Sequence, residues 1–253
     1  MAGTDSAGVP WEGRHFEHSA SSDDDGSAPE KLVEAIRRFR AHDLGESEVI
    51  EALRESRLLI PLVAELGEVG VNDHGVKIDK SQELSIVTVA GPDGRNVLPV
   101  FTSVDAMSAW NRMARPVPAT APRVALAAVS EGTDLVVLDP TSDTEFVIRR
   151  PALWAISQTK SWIPSYLDSE VLEAFMASAE PEHSVLAVQL APGDPESRLA
   201  GPELIVRLVL ADGLDRDDLA AVTSRLQVRW AASEIIAERV DSLKVQLIAE
   251  GRG

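Results

Sequence analysis

The sequence predicts an α+β chain of two domains, each a small mixed or antiparallel sheet with packed helices, preceded by a disordered acidic tail. Three observations lead there. Runs with apolar residues on one helical face alternate with short β-branched runs, and one pair of these is joined by GPDG as an antiparallel hairpin, so the sheet is mixed. The 253 residues are 44% apolar, enough for real cores. Residues 1–28 are rich in Gly, Ser, Ala and Asp without periodicity, and cannot bury enough apolar area to offset ordering entropy.

The first domain is expected over residues 29–158. Ser27-Ala28-Pro29-Glu30 reads as a capping box, and Leu32, Val33, Ile36 and Phe39 then share one helical face. A second helix over about 46–55 runs into RLLIPLVAEL, a buried strand in which Pro61 marks an edge or bulge. Residues 67–82 read as an exposed loop and LSIVTVA as one strand; RNVLPVF returns antiparallel after the GPDG turn. A helix from about Ser103 to Met113 should turn Ala106, Met107 and Trp110 inward. ARPVPATAP reads as a connection. It is followed by a helix (APRVALAAVSEG), strands LVVLDP and EFVIRR, and a helix over 151–158. TKSWIPSYLD (159–168) is taken as the linker. The second domain, 169–253, reads α-β-β-α-β, with Asp215, Asp217 and Asp218 suiting the N-terminal dipole of its long helix.

Charge and composition narrow the function classes. The chain has 24 basic and 41 acidic residues, a net of −17, of which the first 28 residues carry −5. A field this negative repels phosphate backbones and disfavours nucleic acid. No run approaches the roughly 18 apolar residues of a membrane span. With no signal-like start, the expected location is the cytoplasm. The absence of cysteine excludes disulfides, thiol catalysis and Cys-ligated metals. His15 and His18 lie near Asp23, Asp24 and Asp25, but no helix signal flanks them and no metal site is assigned; no cofactor is expected either.

RLLIPLVAEL, DGRNVLPVFTSVDAMSAW, RPVP, LVVLDP and FVIRRPALWAI, in this order and spacing, resemble the N-terminal domain of the SseB family, named for enhanced serine sensitivity. The strand end VLPVFTS followed by a Trp-bearing helix is the most specific element, and WIPSYLD onward looks like the C-terminal domain that accompanies it. The resemblance covers about residues 32–158. It brings no catalytic residue, cofactor or substrate, since the family's name records a phenotype.

The candidate chemistry resolves mostly into architecture. Thr102 and Ser103 lack the flanking glycines of a nucleophile elbow, and Thr102-x-x-Asp105 fits a helix cap. Asp139 ends an apolar strand, where α/β enzymes place acids, but Pro140 makes it a turn former. Acids are absent from 106–130 and from 146–167, where Arg112, Arg115, Arg123, Arg149 and Arg150 occur with Trp154, Trp162 and Tyr166. Those eight residues form the candidate interaction face, since Arg and aromatics dominate binding hot spots. The expectation is a non-catalytic interaction or regulatory protein that binds a protein partner or an acidic ligand. The alternative is an enzyme of amino-acid metabolism with an acid site at Asp139.

Overall fold

The computed structural model describes residues 24–65, 70–71, 77–78 and 83–250. The expectation of a disordered tail and the His15/His18 pair fall largely or wholly outside these. The helix α1 (Glu30–Arg40) and the helix α2 (Glu46–Arg54) bury Leu32, Ile36, Phe39, Val49, Ile50 and Leu53, as their 3.6-residue spacing demands. No Ser27 cap forms. Pro29 is the N-cap of α1, while the Ser27 N–H goes to the Asp25 carboxylate.

Strand β1 (Arg57–Glu65) is the middle of a three-stranded sheet. The pairs β2 (Gly70–Val71) and β3 (Lys77–Ile78) are antiparallel within the segment read as a loop. LSIVTVA is two strands rather than one. β4 (Glu83–Ile86) pairs with β1, and after residues 87–88 β5 (Val89–Ala90) joins a different sheet beside β6 (Asn96–Val100). The GPDG turn forms as expected, with Gly94 at φ +83° and its N–H on the Gly91 carbonyl.

After α3 (Val104–Trp110), RPVPAT is an edge strand, β7 (Arg115–Thr120), and not the connection expected. The alternation of its prolines explains this. Leu59 exchanges both backbone bonds with Phe101, so its partner across β1, Pro118, faces β1 without a hydrogen bond, and Pro116 has the same parity. Neither proline removes a ladder bond, and both blunt the outer edge. Pro99 follows the same logic. Leu98 and Val100 bond toward β8, and at Pro99 the pairing with β5 has ended.

Helix α4 (Ala121–Ser130), strands β8 (Val136–Leu138) and β9 (Phe146–Ile148) and helix α5 (Arg150–Ser157) complete this half. The second sheet runs β5-β6-β8-β9, with β6 and β8 parallel. One core lies under α1, α2, α4 and α5.

The second half holds α6 (Ser169–Ala179), β10 (Val185–Pro192), β11 (Leu204–Leu210), α7 (Arg216–Ala231), α8 (Glu234–Arg239) and β12 (Leu243–Ala249). Helix α8 was not foreseen. β11 is central, antiparallel to β10 and parallel to β12, and the crossover that a parallel pair needs is α7 and α8. Asp215 caps α7 with Asp218 in a reciprocal capping box. Val206, Leu208, Phe175, Leu226 and Trp230 form this separate core. Residues 159–168 are partly packed: Ser165 is fully buried, Trp162 packs on the first core and Tyr166 on the second, while Ile163 and Leu167 are exposed. No helix among the described residues is long and apolar enough to cross a membrane.

Candidate functional site

The eight residues of the expected interaction face do not form one free surface. Arg112 follows α3, Arg115 opens β7 and Arg123 stands on the first turn of α4; all three are exposed. Arg123 also lines a cleft of about 1050 Å³ together with Lys31, Arg54 and Arg57, opposed by Asp24, Asp25, Glu30 and Glu55. Asp24, expected in the tail, pairs at 2.8 Å with Arg57, which also donates to the Thr102 carbonyl.

Arg149, Arg150, Trp154, Trp162 and Tyr166 belong elsewhere, and Arg149 is no part of a free face. It is buried in the seam between the two cores. Its guanidinium donates to Asp194 at 2.7 Å, the Gly201 carbonyl at 3.0 Å and Asp241 at 3.2 Å. The carboxylates are bound in turn. Asp194 accepts the N–H groups of Arg198, Leu199 and Ala200, and Asp241 accepts Arg95 at 3.0 Å. Arg150 donates to the carbonyls of Ala237 and Val240 while its guanidinium sits 5.0 Å from the Trp154 ring centre. Trp154 keeps part of its surface, at 41% exposed.

The loop after β10, residues 193–203, makes the seam a clasp. Leu199 is buried against Val97, Leu135, Val137 and Val147, on the sheet face opposite the helices. Ser197 accepts the Val147 N–H through its carbonyl at 2.8 Å, which occupies the edge of β9. Arg40 fastens the same loop through the Glu196 carboxylate and carbonyl and also holds the Glu145 carbonyl. Ser197 and Leu199 both have positive φ, +46° and +57°, a strain that this many contacts hold in place. Gly193 is obligatory, since a Cβ there would lie 2.3 Å from the Pro202 carbonyl oxygen.

A group of acids lies deeper in the seam. Glu46, on the first turn of α2, accepts the Tyr166 hydroxyl at 3.3 Å. Burial first and the Glu203 carboxylate second push the Glu46 carboxyl up to about 7. Burial also raises Glu203, whose one oxygen accepts the Asp241 N–H while the other, Oε1, is buried without a partner. Tyr166 is raised by burial and then by the Glu46 charge.

Asp139 differs in kind from these groups. Its carboxylate accepts the Thr102 N–H at 2.8 Å, the Thr102 hydroxyl at 2.7 Å and the Thr144 hydroxyl at 2.8 Å. Its backbone takes φ +42° and its carbonyl closes a turn on Ser142. Three of roughly four lone-pair positions are filled, and the side chain ties the ends of β6 and β8 together. Thr102 is consumed there and does not cap α3; Ser103 does, accepting the Ala106 N–H at 3.1 Å. Among the described residues no group of acids and histidines is arranged to hold a metal.

Sequence reasoning found Arg149 and Tyr166 but missed their partners Asp194, Asp241 and Glu46. Its one signal was the glycine-bounded stretch GDPESRLAG, too long and too patterned for a plain turn. No curated protein and no solved structure matches the chain. The family model of the SseB protein N-terminal domain matches residues 32–155, the half that carries β1 to α5 and its Asp139 tie. Residues 32–155 are therefore an SseB-family N-terminal domain.

Proposed function

We propose that the protein is a non-catalytic interaction module that binds a protein partner or acidic ligand through the exposed Arg112, Arg115 and Arg123, the last of which lines the α4 cleft. The observation that carries this reading is the uneven use of its cations. Arg149, Arg150, Arg57 and Arg40 are spent on internal partners, whereas among the described residues no carboxylate pairs with Arg112, Arg115 or Arg123. Exposed unpaired cations in a field of net −17 select an acidic partner and steer it toward them. The prolines of β7 keep that partner from simply adding a strand. The non-catalytic part is supported by Asp139, most of whose acceptor positions are filled from within the fold. The same reading places the protein in the cytoplasm, in a regulatory role linked to the serine sensitivity that the family name records. It takes 29–158 and 169–253 as two domains joined through 159–168, the second being the C-terminal domain that accompanies the first, in keeping with the two separate cores.

The test is affinity capture from native lysate, with wild type beside the triple variant Arg112→Glu, Arg115→Glu, Arg123→Glu, each with and without residues 1–28. Arg149 and Arg150 stay unchanged, because reversing them would open the seam and confound the result. The expected outcome is loss of one or more acidic partners from the triple variant. Identical lists would sink the proposed face.

A further inference from the structure

Most sheet edges among the described residues are blunted. β7 carries Pro116 and Pro118, and the edge of β9 is taken by the Ser197 carbonyl. β10 is irregular between Val185 and Ala187 and ends on Pro192, while β4 and β5 are only four and two residues long. β12, LKVQLIA, is the exception. It runs seven residues in unbroken parallel register with β11, contains no proline, and has no described strand on its other side.

Hydrogen-bond parity shows what this edge offers. Leu204 donates to the Ser242 carbonyl and Glu250 to the Leu210 carbonyl, so the even-numbered residues of β12 are spent on β11. Leu243, Val245, Leu247 and Ala249 therefore direct their N–H and C=O groups outward. Their side chains stand on the helix-covered face, in register with Leu204, Val206, Leu208 and Leu210. Leu208 is fully buried there, yet its neighbour Leu247 is 42% exposed at the open edge.

We propose that this edge is a dimer interface, on which β12 of a second copy pairs antiparallel about a two-fold axis at Leu247 to make one six-stranded sheet. The choice of occupant rests on self-complementarity. With Leu247 opposite itself, the outward groups meet as hydrogen-bonded pairs, Leu247 with Leu247 and Val245 with Ala249. Both copies of Leu247 are covered. On the open face Lys244 then stands opposite Glu250 of the second copy, twice by symmetry. These two exposed residues are the only charges from 243 to 250, so the edge brings no net charge to the contact in a chain of net −17. An axis at Gln246 would instead set Lys244 against Ile248 and Glu250 against Ser242. The first half of the chain lies out of the way. Asp241, just before β12, holds Arg95 and Arg149, so the first halves of two antiparallel copies lie at opposite ends of the ladder. The interface is independent of the partner face at Arg112, Arg115 and Arg123.

Sedimentation velocity of the full chain from about 1 to about 300 μM should show a monomer–dimer equilibrium, since one ladder makes a small, transient interface. Lys244→Glu replaces two opposite-charge contacts with two like-charge ones and should weaken the dimer about tenfold. Adding Glu250→Lys to that variant should restore it. Leu247→Pro removes an N–H that β11 does not use, so it should abolish the dimer and leave the monomer folded. Should that variant fail to fold, the charge pair at exposed positions still decides. A chain that stays monomeric throughout overturns the proposal, as does a dimer that ignores Lys244→Glu or is not restored by the second reversal. Amide exchange at Val245, Leu247 and Ala249 should slow as concentration rises. Protection of these amides in the monomer would mean that something else covers the edge, which overturns the proposal as well.

Discussion

Asp139 shows how a residue that looks like chemistry becomes structure. Its side chain replaces backbone pairing where β6 and β8 end, taking one N–H and two hydroxyls while its own backbone turns left-handed. Asn tolerates that φ but presents only one acceptor oxygen. Asp139→Asn should therefore lower stability by about 2–3 kcal/mol, the cost of unsatisfied buried donors. Urea denaturation would measure this, and a double-mutant cycle with Thr102→Val should show strong coupling. Additive losses would mean the pair is not a unit. Arg149 is a stronger case, because removing it leaves Asp194 without its cation and Asp241 with Arg95 alone. Arg149→Ala should cost about 3–5 kcal/mol in the same measurement, and Lys, without the planar fork, should recover little of it. The sequence made Arg149 visible as a cation in an acid-free run, and there its information ended. Its partners lie 45 and 92 residues away, a separation that no local pattern encodes.

At the scale of elements, the clasp loop and β7 both look like plain connections and are not. Leu199 packs, with Val89, on the face of the β6-β8-β9 sheet opposite the helices, so Leu199→Ala should cost about 2–5 kcal/mol. Hydrogen exchange should show the loss in the Val97, Val137 and Val147 amides before it reaches the second core. Uniform loss through both cores would argue against the loop as a separate fastener. In β7 the prolines are a protection rather than a stabiliser. Changing Pro116 and Pro118 together to Thr should alter stability by no more than about 0.5 kcal/mol. It would also restore two outward N–H groups on an exposed edge, so self-association should appear on size exclusion. Helices α1, α2, α5, α6 and α7 were legible from their apolar spacing and, at α7, from the cap. RPVP was not, since alternating prolines suit a loop equally well unless the hydrogen-bond parity of the neighbouring strand is known.

For the whole molecule, opposite pKa shifts set the pH profile. Glu182, held first by the hydrogen bond from Arg225 and then by Arg229, is pushed down to about 2. Its stabilisation is present above its ordinary 4.5 and lost as pH falls toward 2. Glu46 behaves inversely: its contribution is present below 4.5 and lost as pH rises through about 7. The self-repulsion of 17 excess negative charges deepens the alkaline loss. Calorimetry from pH 2 to 9 should therefore find the highest Tm near pH 5, with Glu46→Gln flattening the alkaline limb and Glu182→Gln the acid limb. A maximum at pH 7–8 that Glu46→Gln leaves in place would contradict this. The sequence by itself determined the α+β class, the order of most elements and the acidic balance, because periodicity, turn chemistry and composition are local properties. Only the tertiary structure decided which arginines are spent and which stay exposed, that Asp194 and Asp241 close on Arg149, and that Glu46 takes the Tyr166 hydroxyl. Burial and counter-charge are properties of residues brought together from distant parts of the chain, and the energy of a buried charge depends on those neighbours rather than on its position in the sequence.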